Sequence, residues 1–173
     1  MKLKTILTTS LVAVFAIMMA ITPAYAASYL DMTKAEVEKR SFEIKTGATI
    51  PQDGSAGLFG YAVFGENGLI AVTTHGGVWD SDAQSGPSDP VFHTHIVQLN
   101  AKSADCSSGI QVASASEATV GKLEVDKNYI EVSKIPKDAV GKLSNTVVSF
   151  TLSGGDNGAI CVNVSQLIQA SSD

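Results

Sequence analysis

Apolar and polar residues alternate in short runs along most of this chain, and Gly, Asn and Asp punctuate the runs. Leu58–Phe64 and Leu69–Thr74 flank Gly65-Glu66-Asn67-Gly68. Asn-Gly between two such runs is the strongest short-range hairpin signal, so the pattern predicts two paired strands there. Thr119–Val125 and Tyr129–Ser133 flank Asp126-Lys127-Asn128, a second hairpin. Val147–Leu152 and Ala159–Val164 flank a Gly/Asp/Asn-rich turn, a third. In that hairpin Val148, Phe150 and Leu152 share one face, as do Ile160, Val162 and Val164, with Cys161 on the face opposite.

Val91–Leu99 reads as a further strand, with β-branched and aromatic residues and a period of two. Its two faces are Val91, His93, His95, Val97, Leu99 and Phe92, Thr94, Ile96, Gln98. Ser41–Lys45 alternates as an edge strand does, and Cys106–Val112 turns into another short strand. Thr46–Ala56 and Val78–Pro90 read as loops, and Pro136 and Gly141 mark a further break. Two stretches look helical. Thr33 with Glu36 three residues on resembles a capping box, predicting a short helix to about Arg40. Ser165–Ala170 reads as a closing helical turn. Seven to nine short strands with little helical periodicity predict an all-β fold, an antiparallel sandwich or barrel-like domain.

Residues 1–26 break this pattern. Lys2 and Lys4 precede an apolar run, Leu11–Ile21, and Ala24-Tyr25-Ala26 is an A-x-A cleavage site. That is the layout of a secretory signal peptide, and the run is short for a bilayer span, which needs about 20 apolar residues. No cysteine follows the run to indicate a lipoprotein, and no hydrophobic tail is expected to anchor the C-terminus. The expected mature part, 27–173, is one exported β domain of 147 residues, periplasmic, extracellular or in the cell envelope. It carries 10 basic and 17 acidic residues, a net charge of −7. An acidic, exported domain without a basic patch is a poor partner for nucleic acid or anionic membrane surfaces. No stable membrane insertion is expected after cleavage, and the protein or small-molecule partner is open. Asn163-Val164-Ser165 matches the glycosylation sequon, a tripeptide common by chance.

Export also bears on the two cysteines, Cys106 and Cys161. An even count in an oxidising compartment predicts a disulfide. The two are 55 residues apart, and closing a loop of that length is worth roughly 4 kcal/mol in the chain-entropy picture. A disulfide removes both thiolates from metal binding, which argues against a blue-copper site; the only Met of the mature part is Met32.

All three histidines of the chain fall between positions 75 and 95. His93 and His95, at i and i+2 of a strand, point to one face roughly 6.6 Å apart at the Cα level. His75 ends the second strand of the first hairpin, and if that strand pairs near Val91–Leu99 a third imidazole joins the pair. Three neutral imidazoles with one open position make a copper or zinc site. The loop after His75 carries Trp79, Asp80, Asp82 and Asp89, of which Asp80 or Asp82 is the candidate fourth ligand or the acceptor for an imidazole N–H. Asp80-Ser81-Asp82 lacks the Gly and distal Glu of an EF-hand loop. The bland alternative is a pair of histidines packed on an apolar face beside a solvated acidic loop.

The His-x-His strand with a third histidine resembles the metal strands of cupins and of α-type carbonic anhydrases. The resemblance covers those three residues, and it departs from the cupin pattern because Ile96–Asp105 holds no Glu; nothing more is carried over from either family. Three readings follow from the residues: an exported domain binding copper or zinc through His75, His93 and His95; a structural or ligand-binding envelope β-domain without metal; and a zinc-dependent hydrolase or lyase using metal-bound water with an Asp as base. No catalytic residue is assigned, and whether the chain is an enzyme is left open.

Overall fold

The structure is a computed structural model, and it describes residues 28–53, 55–74, 92–116 and 120–171. The signal peptide expected over 1–26 lies outside the described residues, as do His75, Asp80 and Asp82. The described part is nearly all β, with ten strands: β1 (Met32–Val37), β2 (Phe42–Thr46), β3 (Phe59–Gly65), β4 (Gly68–Thr74), β5 (His93–Asn100), β6 (Gln111–Ala115), β7 (Lys122–Asp126), β8 (Tyr129–Ser133), β9 (Leu143–Gly154) and β10 (Ile160–Gln169). One helical turn, α1 (Lys137–Val140), stands between β8 and β9.

All pairing between strands is antiparallel, and it builds two bodies. A four-stranded sheet runs β1-β2-β8-β7, and a six-stranded barrel runs β10-β6-β5-β4-β3-β9, with β9 and β10 closing it. The three predicted hairpins are β3–β4, β7–β8 and β9–β10, the first and third turning where Gly and Asn cluster and the second at Lys127-Asn128. At Gly68 the β3–β4 turn needs φ = +140°, which glycine adopts without steric penalty.

Two apolar interiors result. The first lies between the sheet and the barrel wall. There Phe42, Ile44, Ile130 and Val132 of the sheet meet Tyr61, Val63, Ile70, Val72 and Val147 of the barrel. The second lies inside the barrel, among Ala62, Leu69, Ala71, Val97, Val148, Phe150 and Val162. Strands β3 and β4 are therefore buried on both faces. Strands in that position read as near-continuous apolar runs, as Phe59-Gly-Tyr-Ala-Val-Phe64 does. The Tyr61 hydroxyl donates to the Tyr29 carbonyl, 2.5 Å away. Burial pushes its phenol above the ordinary tyrosine range, so it remains a neutral donor.

Both helical expectations are overturned. Met32–Val37 is strand β1, and Thr33 Oγ1 donates across to the Lys45 carbonyl instead of capping a helix. Extended backbone places Met32, Ala35 and Val37 in the core against β2, with an irregularity in register between Met32 and Lys34. A helix over the same residues could not make the ladder to β2; tertiary pairing outweighs the local capping signal. Ser165–Gln169 likewise continues β10. A bulge between Val164 and Gln166 shifts the register, and Leu167 then faces Val148 while Ile168 faces Val147. The bulge hides the alternation in the sequence, since it moves every later side chain to the other face. Beyond it, Ser171 exchanges backbone hydrogen bonds with Ala35 and Val37 of β1 at 3.0 Å, joining the two bodies.

The disulfide predicted between Cys106 and Cys161 is present, with Cα atoms 5.5 Å apart. It sits at the narrowest junction of the barrel. Strands β6 and β10 face each other at one register position, Gln111 opposite Cys161, and the Val162 amide donates to the Ile110 carbonyl at 3.0 Å. The turn before β10 packs onto this staple. A Cβ at Gly155 would stand 2.4 Å from Cys161 Sγ and 2.3 Å from the Asp105 carbonyl oxygen, so only glycine fits.

Replacing Cys106 and Cys161 together by Ala is expected to cost about 2–4 kcal/mol in a denaturant titration. Amide exchange should locate the loosening: the Val162 amide should lose protection well beyond the amides of β2. Uniform loss across both bodies would contradict the placement of the staple at the barrel seam.

Candidate functional site

Inside the barrel is a cavity of about 250 Å³. Alternate residues of all six strands line it, as expected for inward-pointing positions of a barrel. A barrel's diameter grows with its strand number, and eight strands enclose just enough room for side chains to fill. A six-stranded barrel is hollow only if its inward side chains are small. Here Ala62 of β3 faces Ala71 of β4 across the ladder, and Ala115 of β6 also lines the space. Tyr61, Val63, Ile70 and Val72 of the same strands point outward to the sheet, and the paired Phe64 and Leu69 line the cavity beside the alanines.

The cavity is reachable from solvent. Ile160 and Val164 line it yet are 51% and 48% exposed, and Leu167, facing cavity-lining Val148 across the ladder, is 56% exposed. All three belong to the inner face of β10, the strand that meets β6 only at its start. Apolar wall residues left half in water mark a binding surface more often than a finished core.

Among the described residues two that line the cavity are polar, Thr73 and His95, and the others are apolar. Register explains their proximity. In the β4–β5 ladder Thr73 faces His93 and Ala71 faces His95, so Thr73 and His95 are diagonal neighbours on the inner face. The Thr73 methyl is turned toward β3, where it would stand 2.8 Å from a Cβ added at Gly60. Its side chain is buried, at 5% exposure. Among the described residues no partner is present for its hydroxyl.

His93 and His95 share this inner face as the period of two predicts. Their ring centroids are 4.5 Å apart, with planes at 89°. His95 Nδ1 lies 2.5 Å from the Ser116 carbonyl oxygen. A carbonyl only accepts, so Nδ1 carries the hydrogen and Nε2 is the lone-pair nitrogen of the neutral ring. Ser116 is itself fixed: its hydroxyl accepts from the Ile96 amide at 2.8 Å, and its amide donates to the Ile96 carbonyl at 2.9 Å. On the opposite face Thr94 Oγ1 donates to the Val120 carbonyl and accepts from the Val120 amide, at 2.8 and 2.6 Å. The histidine strand is thus held from both sides by the segments flanking residues 117–119.

No protein-family model, curated protein or solved structure matches this chain.

Of the residues singled out from sequence, the structure brings His93 and His95 together. Among the described residues no group of three His, Cys, Asp or Glu side chains is placed to share an ion. The cavity itself was not anticipated from the pattern. Its signal is present, though: in Gly60-Tyr-Ala62 and Ile70-Ala-Val-Thr73 small residues alternate with large ones. That asymmetry separates the hollow side of a strand from its packed side.

If the space is empty rather than tightly packed, enlarging its wall should be tolerated. Ala62→Leu, at a position 1% exposed, is expected to stabilise by about 0.5–2 kcal/mol as a cavity-filling change. Thermal and denaturant unfolding check this. A loss of about 1–3 kcal/mol, the usual cost of overpacking, would show the barrel interior to be full.

Proposed function

We propose that this chain is an exported binding domain that holds a small, mainly apolar molecule inside its six-stranded barrel. The observation that carries the reading is the cavity of about 250 Å³, walled by apolar side chains and flanked by the half-exposed inner face of β10. Ligand sites are concave, largely apolar and equipped with a few placed polar groups, and Thr73 and His95 are such groups. Export is supported by Lys2, Lys4, the apolar run and Ala24-Tyr25-Ala26, and by the disulfide, which belongs to oxidising compartments. No helix among the described residues is long and apolar enough to cross a membrane.

The reading is tested by titrating the protein with butylbenzene while following the methyl resonances of Val97, Val148 and Val162. Saturable shifts confined to these barrel residues are expected, with the methyls of Ile44 and Ile130 unmoved. Ala62→Leu should abolish the shifts while keeping the fold. Shifts that never saturate, or that appear first in the sheet, would refute an interior site.

A second reading has an observation of its own. The His93 and His95 rings stand 4.5 Å apart, and His95 donates its Nδ1 hydrogen to a backbone carbonyl. A metal-ligating histidine is oriented in that way, its second nitrogen being the ligand. In this reading His93, His95 and His75 hold copper or zinc, with Asp80 or Asp82 as fourth ligand or as a carboxylate behind an imidazole; His75, Asp80 and Asp82 enter from sequence alone. Calorimetric titration of the untagged protein with Zn²⁺ or Cu²⁺ tests it. One ion per chain is expected, lost on His93→Ala or His95→Ala and on acidification, since protonated imidazole cannot ligate. Asp80→Asn or Asp82→Asn should weaken it roughly 10–100-fold where the carboxylate supports a ligand. No binding above background would end the metal reading and leave the barrel reading intact.

A further inference from the structure

Resting on the barrel reading above, we infer that the ligand is a neutral amphiphile of about ten non-hydrogen atoms whose single oxygen group is recognised by Thr73. Size comes from the cavity. A dry cavity of about 150 Å³ accommodates a benzene, so about 250 Å³ accommodates roughly ten heavy atoms on the same scale.

The oxygen group comes from Thr73. Its side chain lines the cavity and is 5% exposed, and among the described residues its hydroxyl has no hydrogen-bond partner. Buried polar groups are satisfied in the great majority of cases, and one that is not needs a reason. Valine has the same shape and would leave no such group. A threonine here is explained by a ligand that completes its hydrogen bond inside the barrel. A hydroxyl both donates and accepts, so it suits an alcohol or a carbonyl equally.

Neutrality comes from the rest of the wall. Among the described residues no Lys, Arg, Asp or Glu lines the cavity, and an ion moved from water into apolar surroundings without a paired charge pays a large desolvation penalty. The chain as a whole is negative, −5 at neutral pH, which further disfavours an organic anion. The polar group therefore sits at the Thr73 corner, and the apolar body spreads along Ala62, Val97, Val148 and Phe150.

The experiment compares three probes of similar shape: butylbenzene, phenylpropanol and phenylpropanoate. Affinities are read from the same methyl resonances for the native chain, Thr73→Val and Thr73→Ser. Thr73→Val keeps the side-chain shape and removes the hydroxyl. It should lower the affinity for phenylpropanol relative to butylbenzene by about 2–10-fold, the range for one net hydrogen bond. Thr73→Ser keeps the hydroxyl and should retain the native ratio. Phenylpropanoate should bind the native chain at least tenfold more weakly than the alcohol, the direction set by burying an unpaired charge. Without ligand, Thr73→Val should be as stable as the native chain or more so.

The outcomes separate. If butylbenzene and phenylpropanol both fail to bind the native chain, the barrel reading falls and this inference with it. If both bind and Thr73→Val leaves their ratio unchanged, the barrel reading stands and the role of Thr73 is overturned. Phenylpropanoate binding as tightly as the alcohol would overturn the neutral class, and a Thr73→Val chain less stable than native would show that the hydroxyl is already satisfied.

Discussion

The architecture depends on β3 and β4 being buried on both faces. One face of this hairpin must cover the four-stranded sheet, and the other must line the barrel. Those faces carry different side chains. Tyr61, Val63, Ile70 and Val72 fill the space against the sheet, while on the barrel side Gly60, Ala62 and Ala71 leave the wall thin next to Phe64 and Leu69. Apolar burial is roughly proportional to area, so the packed side supplies the larger part of the cohesion between the two bodies. The barrel interior is then free to be hollow, because the fold does not rely on it alone.

That freedom makes the closure of the barrel the exposed point. Strand β10 is laddered to β9 from Ile160 to Gln169, but it faces β6 only where Cys161 meets Gln111. The covalent bond from Cys106 to Cys161 stands at that position. A closed barrel has no free edges, and the disulfide holds this one closed where hydrogen bonds are fewest. Beyond the staple, the inner face of β10 turns Val164 and Leu167 toward water. The same geometry that leaves the seam short opens the interior to small molecules.

Within the cavity the polar groups are few and positioned by backbone register. Thr73 and His95 fall on the inner face because β4 and β5 pair with Thr73 opposite His93. The His95 ring is oriented by a carbonyl of the segment following β6. A one-residue slip of β5 in that ladder would send His95 to the sheet side, away from Thr73. Polar specificity in the barrel is thus a consequence of the same register that keeps Ile70 and Val72 in the core.

Much of this was legible in the chain itself. The three hairpins, the all-β class and the Cys106–Cys161 bridge follow from local turn chemistry, period-two alternation and cysteine number, none of which needs a partner strand to be known. His93 and His95 on one face follow from the strand period alone. What local pattern could not supply was pairing at a distance. Thr33 and Glu36 mimic a helix start, and only the ladder to β2 and the contact with Ser171 make Met32–Val37 a strand. A bulge at Ser165 disguises the end of β10, because an extra residue reverses the alternation that identifies a strand. The hollow interior was the furthest from view. Alternation of small and large side chains is written in β3 and β4, but whether the small side meets solvent, a packed layer or an empty space depends on how many strands close the ring. Chain-distant pairing of β10 with β6 decided that, and with it that the face carrying Thr73 and His95 lines a cavity.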